Sequence, residues 1–178
     1  MTAIYCIDGY NVIHHCTTLR ALVRKNLEGA RDALIDRASR YCTTSGDTAR
    51  IVFDGRSRHA LPEVSVSGAP GVEVVYSPGH QSADTVIERF VHQSSKRGGI
   101  VVVTGDRGIR DLCRGLGALV MAPESFLKQV DERIDQARAS LRRQAERHTG
   151  NPVEERLTGR SLTRLRRHSD RLEGKRVR

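Results

Sequence analysis

Three short apolar runs end at or just before an acid: Ile4-Tyr5-Cys6-Ile7-Asp8, Ile51-Val52-Phe53-Asp54 and Ile100-Val101-Val102-Val103-Thr104-Gly105-Asp106. Runs of this length, rich in β-branched residues and bounded by Gly, predict buried strands of a parallel sheet. Segments of helical periodicity lie between them. Leu27, Ala30, Ala33, Leu34, Ala38 and Tyr41 predict a helix over 27–41. Ala83, Val86, Ile87, Phe90 and Val91 predict another, capped by Ser82 and running to about Ser95. A short helix is expected over 109–116, closed by Gly117, and a long one over 124–147. Further strands are expected over 72–76 and 118–121, with Glu73 marking the former as the sheet edge. Residues 8–11 read as a turn, 14–25 as a loop or short helix, and the Pro- and Gly-bearing stretch up to Gly71 as irregular loop. Strands alternating with helices imply an α/β fold, a mainly parallel sheet covered on both faces.

Parallel strands deliver their C-terminal ends to one side of the sheet, where open α/β sheets bind ligands. Asp8, Asp54 and Asp106 are therefore expected to meet there although they lie far apart in sequence. Asp84, in the first turn of the middle helix, joins them, and Asn11 can orient a phosphate or a water. Crowded carboxylates repel one another, and burying them unpaired is costly. A divalent cation resolves the conflict, and an all-oxygen donor set suits Mg²⁺ or Mn²⁺. Such an ion binds phosphate, activates water and stabilises the leaving oxygen of a phosphodiester. Each acid has a simpler reading: a turn former at Asp54, a helix cap at Asp106, a partner of the helix dipole at Asp84. Glu88 shares a helix face with Asp84 but reads equally as a solvated position.

The formal charge of +9 points to an anionic partner, with nucleic acid ahead of a membrane or an acidic protein. Arg56, Arg58, Arg107 and Arg110 flank the acidic positions and are the candidate contacts for RNA phosphates. After Asn151-Pro152 the chain carries nine Lys and Arg residues and four acids, a basic tail over 150–178 behind one domain over 1–149. Aromatic content of 4% with no Trp argues against base stacking as the main recognition mode. None of the four cysteines stands in a CxxC pair, which speaks against structural zinc. The first apolar run is too short for a signal peptide and no stretch approaches a transmembrane span, so a cytoplasmic protein with reduced thiols and no membrane partner is expected.

The motif set DGYN after the first strand, FDG after the second, SAD at the head of the middle helix and VVTGD at the last buried strand resembles the PIN-like NYN domain, in particular the YacP-like branch of bacterial ribonucleases. The resemblance covers roughly residues 4–141. It implies a three-layer α/β/α PIN-like sandwich and metal-dependent cleavage of RNA. On it, Asp8, Asn11, Asp54, Asp84 and Asp106 fall on the family's acidic-site positions, whereas Glu88 matches none. The family includes a ribosome-associated endoribonuclease that cuts mRNA during translation, so mRNA and the ribosome are the partners it implies.

Competing readings remain open at this stage. A non-catalytic RNA- or ribosome-binding protein accounts for the charge and tail but leaves four acids without a purpose. A haloacid-dehalogenase-like phosphatase wants a second Asp where Tyr10 stands. A dinucleotide-binding protein wants a GxGxxG after a strand, and none is present. A metal-free nuclease would draw on His14, His15, His59 or His80, none of which falls at a strand end.

Overall fold

The computed structural model describes residues 2–55 and 64–149. Two compact units divide the chain, Met1–Asp135 and Gln136–Arg178. In the first, β1 (Ile4–Asp8) leads through α1 (Gly9–His15), α2 (Thr17–Val23) and α3 (Leu27–Ser45) to β2 (Thr48–Phe53). Then come β3 (Val64–Ala69), β4 (Val72–Tyr76), α4 (Ala83–Gln93), β5 (Ile100–Val103), α5 (Arg107–Gly115) and β6 (Leu119–Met121). Helix α6 is Pro123–Thr149. Of the second unit, the structure describes only the helical stretch 136–149, where Ser140 Oγ donates to the Gln136 carbonyl at 3.0 Å.

The six strands form one sheet in the order β3-β4-β2-β1-β5-β6. Five run parallel, and β3 pairs antiparallel to β4. Side chains alternate across the strands, which sorts the core into two layers. Tyr5, Ile7, Ile51, Phe53, Val74, Val101 and Val103 pack with α1, α2, α3 and Phe126 on one face. Cys6, Val52, Val75, Ile100 and Val102 pack with α4 and α5 on the other. The α/β/α sandwich expected from the resemblance is the fold of this chain.

Four local expectations need correction. The turn after Asp8 is a helix: α1 begins at Gly9 with Asp8 as its N-cap. A Cβ at residue 9 would run into the Phe53 ring, so only Gly lets α1 start this close to β2. Helix α3 runs past its expected end at 41 to Ser45 before Gly46 ends it at φ +80°, while the stretch 14–25 contains α2, the short helix among its two readings. Residues 64–69 are strand β3, not loop, and the rest of the expected loop, 56–63, lies outside the described residues. β4 is consequently not the edge. Its Glu73 stands in register with Arg50 of β2 and takes the guanidinium at 2.8 Å, while Arg50 stacks over the Phe90 ring at 4.3 Å. A charge that marks an edge strand by pattern is here neutralised by its neighbour strand.

The expected basic tail, 150–178, also lies outside the described residues. Among the described residues no helix is long and apolar enough to cross a membrane.

Candidate active site at the acidic sheet edge

β1 and β5 are buried neighbours, and their ends carry the centre of the site. Asp8 closes β1 with 9% of its surface exposed. One carboxylate oxygen accepts the Asn11 N–H at 3.2 Å, the bond of an N-cap. The other accepts from Thr104 Oγ1 at 3.1 Å, and Thr104 is fully buried at the end of β5. The same hydroxyl oxygen accepts the Asp106 N–H at 3.2 Å. Burial pushes the Asp8 carboxyl up from 3.8 to about 6; the two hydrogen bonds oppose the rise, and the charges of Asp84 and Asp54 add to it.

Asn11 reaches from α1 to the β5–α5 turn, where its Oδ1 accepts the Gly105 N–H at 2.7 Å. A Cβ on Gly105 would meet His15 Nε2 at 2.6 Å and Asn11 Oδ1 at 3.0 Å, so a larger residue here would push the His15 ring aside. With its oxygen engaged, Asn11 offers a ligand the Nδ2 donor. His15, one turn further along α1, places Nδ1 2.6 Å from Glu124 Oε1 at the head of α6. Asp8 and Asn11 thus stitch α1 to the end of β5 and the turn after it, and His15 ties α1 to the head of α6.

Asp54, exposed after β2, accepts the Ala83 N–H at 2.6 Å and the Ser77 hydroxyl at 3.4 Å. It anchors the start of α4, whose own N-cap is Ser82. Asp84 follows at once, half-buried. Burial raises its carboxyl above the usual range, with help from the Asp106 and Asp54 charges. Asp106 caps α5 by accepting the Ile109 N–H at 3.2 Å. The helix-cap reading of Asp106 is therefore correct as structure and coexists with its place at the acidic edge, and Asp8, read as part of a turn, is an N-cap as well.

The four acids interact electrostatically, and among the described residues none makes an ion pair. Nor do any three His, Cys, Asp or Glu side chains close into a ligand shell for one ion among those residues. The donor chemistry nevertheless fits a hard divalent cation: oxygen ligands only, un-neutralised, with two carboxyls raised by burial and mutual repulsion. Glu88 is exposed on α4, as are His14 on α1 and His80 before α4. Arg107 is exposed at the start of α5, and Arg110 is half-buried with an Nε that has no hydrogen-bond partner. Arg56, Arg58 and His59 lie outside the described residues. The His15–Glu124 pair was not singled out by the sequence reading; the spacing of Asp8, Asn11 and His15 on one helix would have been its signal.

A groove at the opposite, N-terminal edge of the strands, beside Ile4, Thr48, Arg50, Glu73 and Phe90, has its central charges paired with each other. It offers no comparable set of unpaired acids.

A mainly parallel α/β/α sandwich with four carboxylates along its C-terminal edge defines a nuclease-type domain. The chain belongs to the YacP-like NYN domain family, whose model matches residues 5–170. It is 29% identical over 129 residues to the Bacillus subtilis (strain 168) protein described as uncharacterized protein YacP, a match spanning 72% of this chain and 75% of that one. Its fold is similar to the crystal structure of a mutant of Rae1 (YacP) from Bacillus subtilis, with a TM-score of 0.67 and 26% identity over 80% of this chain and 82% of that one. A second crystal structure of Rae1 (YacP) gives the same TM-score at 24% identity, over 93% of this chain and 95% of that one.

Proposed function

We propose that this chain is a metal-dependent endoribonuclease that hydrolyses RNA phosphodiesters at the Asp8–Asp54–Asp84–Asp106 edge. The observation that carries the proposal is Asp8: a nearly buried carboxyl held by Thr104 and the Asn11 N–H, raised to about 6 by burial with Asp84 and Asp54 adding to the rise, and without an ion pair among the described residues. Without a compensating charge such a group takes up a proton, and a bound cation would keep it ionised at neutral pH.

Mg²⁺ or Mn²⁺ bound there supplies phosphate neutralisation and a more acidic water. The residues of the chain do the positioning. Thr104 and the Asn11 N–H hold Asp8 in one orientation. Asp54 fixes the head of α4 and with it the placement of Asp84. Asn11, locked on Gly105, directs Nδ2 towards an incoming phosphate oxygen. In-line attack by water breaks the P–O3′ bond and leaves 5′-phosphate and 3′-hydroxyl ends. Arg107 and Arg110 bind flanking phosphates from α5. The substrate is mRNA, met in the cytoplasm and on the ribosome.

The second reading is an RNA- or ribosome-binding protein without catalysis. One observation favours it: no three of the acids close into a single ion's shell among the described residues. Incubation of a long mixed-sequence RNA with the purified protein and Mn²⁺ or Mg²⁺, with EDTA and Asp84→Asn as controls, separates the two. Metal-dependent cuts that vanish in the variant support the nuclease. If naked RNA stays intact, the same assay on translating ribosomes follows, and intact mRNA there too would leave the binding protein.

A further inference from the structure

The chain has few aromatic residues, four Tyr and three Phe, yet three of these seven gather beside the acidic edge. Phe53, fully buried, immediately precedes Asp54. Tyr10, two residues after Asp8, meets its ring edge-on at 5.2 Å and 62°. Tyr76, its register partner on β4, stacks on it at 5.8 Å and 27°. Tyr10 and Tyr76 are only half-buried.

Arg31 of α3 lies over all three rings, its guanidinium carbon 5.5, 5.9 and 5.8 Å from the centroids of Tyr10, Phe53 and Tyr76. Its Nε and Nη2 both donate to the Tyr10 hydroxyl oxygen, at 2.9 and 2.5 Å. Among the described residues Arg31 has no carboxylate partner. Such a fixed, half-buried guanidinium is suited to an arriving anion, and Arg is the side chain whose planar fork matches phosphate. Tyr76 also walls a groove along α3 with Asp32, Ile35, Asp36 and Ser39. Asp36 of that groove is paired with Arg40 at 2.8 Å, and the Asp32 carboxylate repels phosphate, so a base enters the groove more readily than the backbone does.

We propose that Arg31, Tyr10 and Tyr76 form a subsite for one nucleotide of single-stranded RNA next to the scissile position. The phosphate lies on Arg31, held in place by the Tyr10 hydroxyl, and the base stacks on Tyr76. Stacking on aromatic and guanidinium planes needs an unpaired base, which selects single strands over duplex. The subsite rests on the RNA-nuclease reading, because it takes its ligand from the strand that crosses the acidic edge.

The test uses the full chain with Asp84→Asn to prevent cutting, Mg²⁺, and a short single-stranded RNA carrying one 2-aminopurine. Affinity is measured over a salt series, and base stacking is followed by 2-aminopurine quenching. Arg31→Gln is expected to weaken binding several-fold and to reduce the salt slope by about 0.7, the value of one phosphate contact on a single strand. Tyr76→Leu is expected to weaken binding by about five-fold or more and to abolish the quench, with the salt slope unchanged. Tyr10→Phe keeps the ring and removes only the oxygen that holds Arg31; it should lower the salt slope without affecting folding. Thermal melts confirm that each variant is folded. Folded variants that bind and quench like their parent would overturn the subsite alone. No RNA binding by the parent itself would overturn the RNA reading and the subsite with it.

Discussion

Asp54 Oδ1 accepts the backbone N–H of Ala83 at 2.6 Å, across 29 residues of sequence. One carboxylate at the end of β2 thereby fixes where α4 begins, and the next residue of α4 is Asp84. The two acids that look alike by pattern have different structural duties. Asp54 is a brace, and Asp84 makes no hydrogen bond among the described residues.

Asp54→Ala and Asp84→Asn should therefore separate. The first removes a charge-assisted bond to a helix start and is expected to cost about 1–2 kcal/mol, read as a lower Tm. The second removes a repelled charge and should leave Tm unchanged or slightly higher. Both should reduce metal-dependent RNA cleavage, by about a hundred-fold or more for Asp84→Asn. A large loss of stability in Asp84→Asn would contradict the assignment of its role.

The pH dependence of the metal-free protein follows from Asp8. Its carboxyl rises from 3.8 to about 6 on folding, so the folded state holds the proton more tightly than the unfolded chain. The stabilisation that this provides is complete below about 3.8 and is lost as pH rises through about 6. In EDTA, the contribution of Asp8 should make the protein more stable at pH 5 than at pH 7.5, and Asp8→Asn should flatten that difference. Denaturant melts of both proteins across this range check the sign. The other carboxylates of the chain contribute their own slopes, so the comparison with the variant carries the assignment.

A divalent cation should reverse that trend. Ligand that binds only the folded state raises stability by RT ln(1 + [L]/Kd), about 2.7 kcal/mol at a hundred-fold excess over Kd. Mg²⁺ or Mn²⁺ is expected to raise Tm most above pH 6, where Asp8 is ionised, and to do so less in Asp84→Asn. Equal shifts in parent and variant would remove Asp84 from the ion's surroundings.

Gly105→Ala tests the seam between α1 and the β5–α5 turn. The new methyl meets the His15 ring and the Asn11 amide oxygen at 2.6 and 3.0 Å. The His15 side chain is 43% exposed and can swing aside, so relieving the overlap is expected to cost about 1 kcal/mol, chiefly through the disturbed Asn11 bond to the Gly105 N–H. Pairing the change with His15→Ala should recover part of the stability, since the ring is the nearer obstacle. Calorimetric melts of the single and double variants measure the coupling.

The class of fold was legible in the sequence because apolar runs of strand length and helical stripes are local signals, and the acids at the ends of those runs come together wherever the strands are parallel. The errors fell where a distant partner overrides the local pattern. Glu73 reads as an edge residue until Arg50 is found beside it on the next strand. The stretch 64–69, rich in Ser and bounded by Gly and Pro, reads as loop until β4 offers it a ladder of hydrogen bonds. Gly9 and Tyr10 read as a turn until the Phe53 ring shows how closely α1 is drawn to the sheet.

Which residues stand at the acidic edge is written in the order of the chain. What each one does there was decided by tertiary structure. Asp54 became a brace, Asn11 a clasp on Gly105, and Arg31 a guanidinium laid over three rings. These roles depend on contacts spanning 29, 94 and 21 residues, and hydrogen bonds and ring contacts at such separations leave no periodic trace in sequence. Local pattern records what each segment buries; the three-dimensional fold determines which polar groups are left to meet one another.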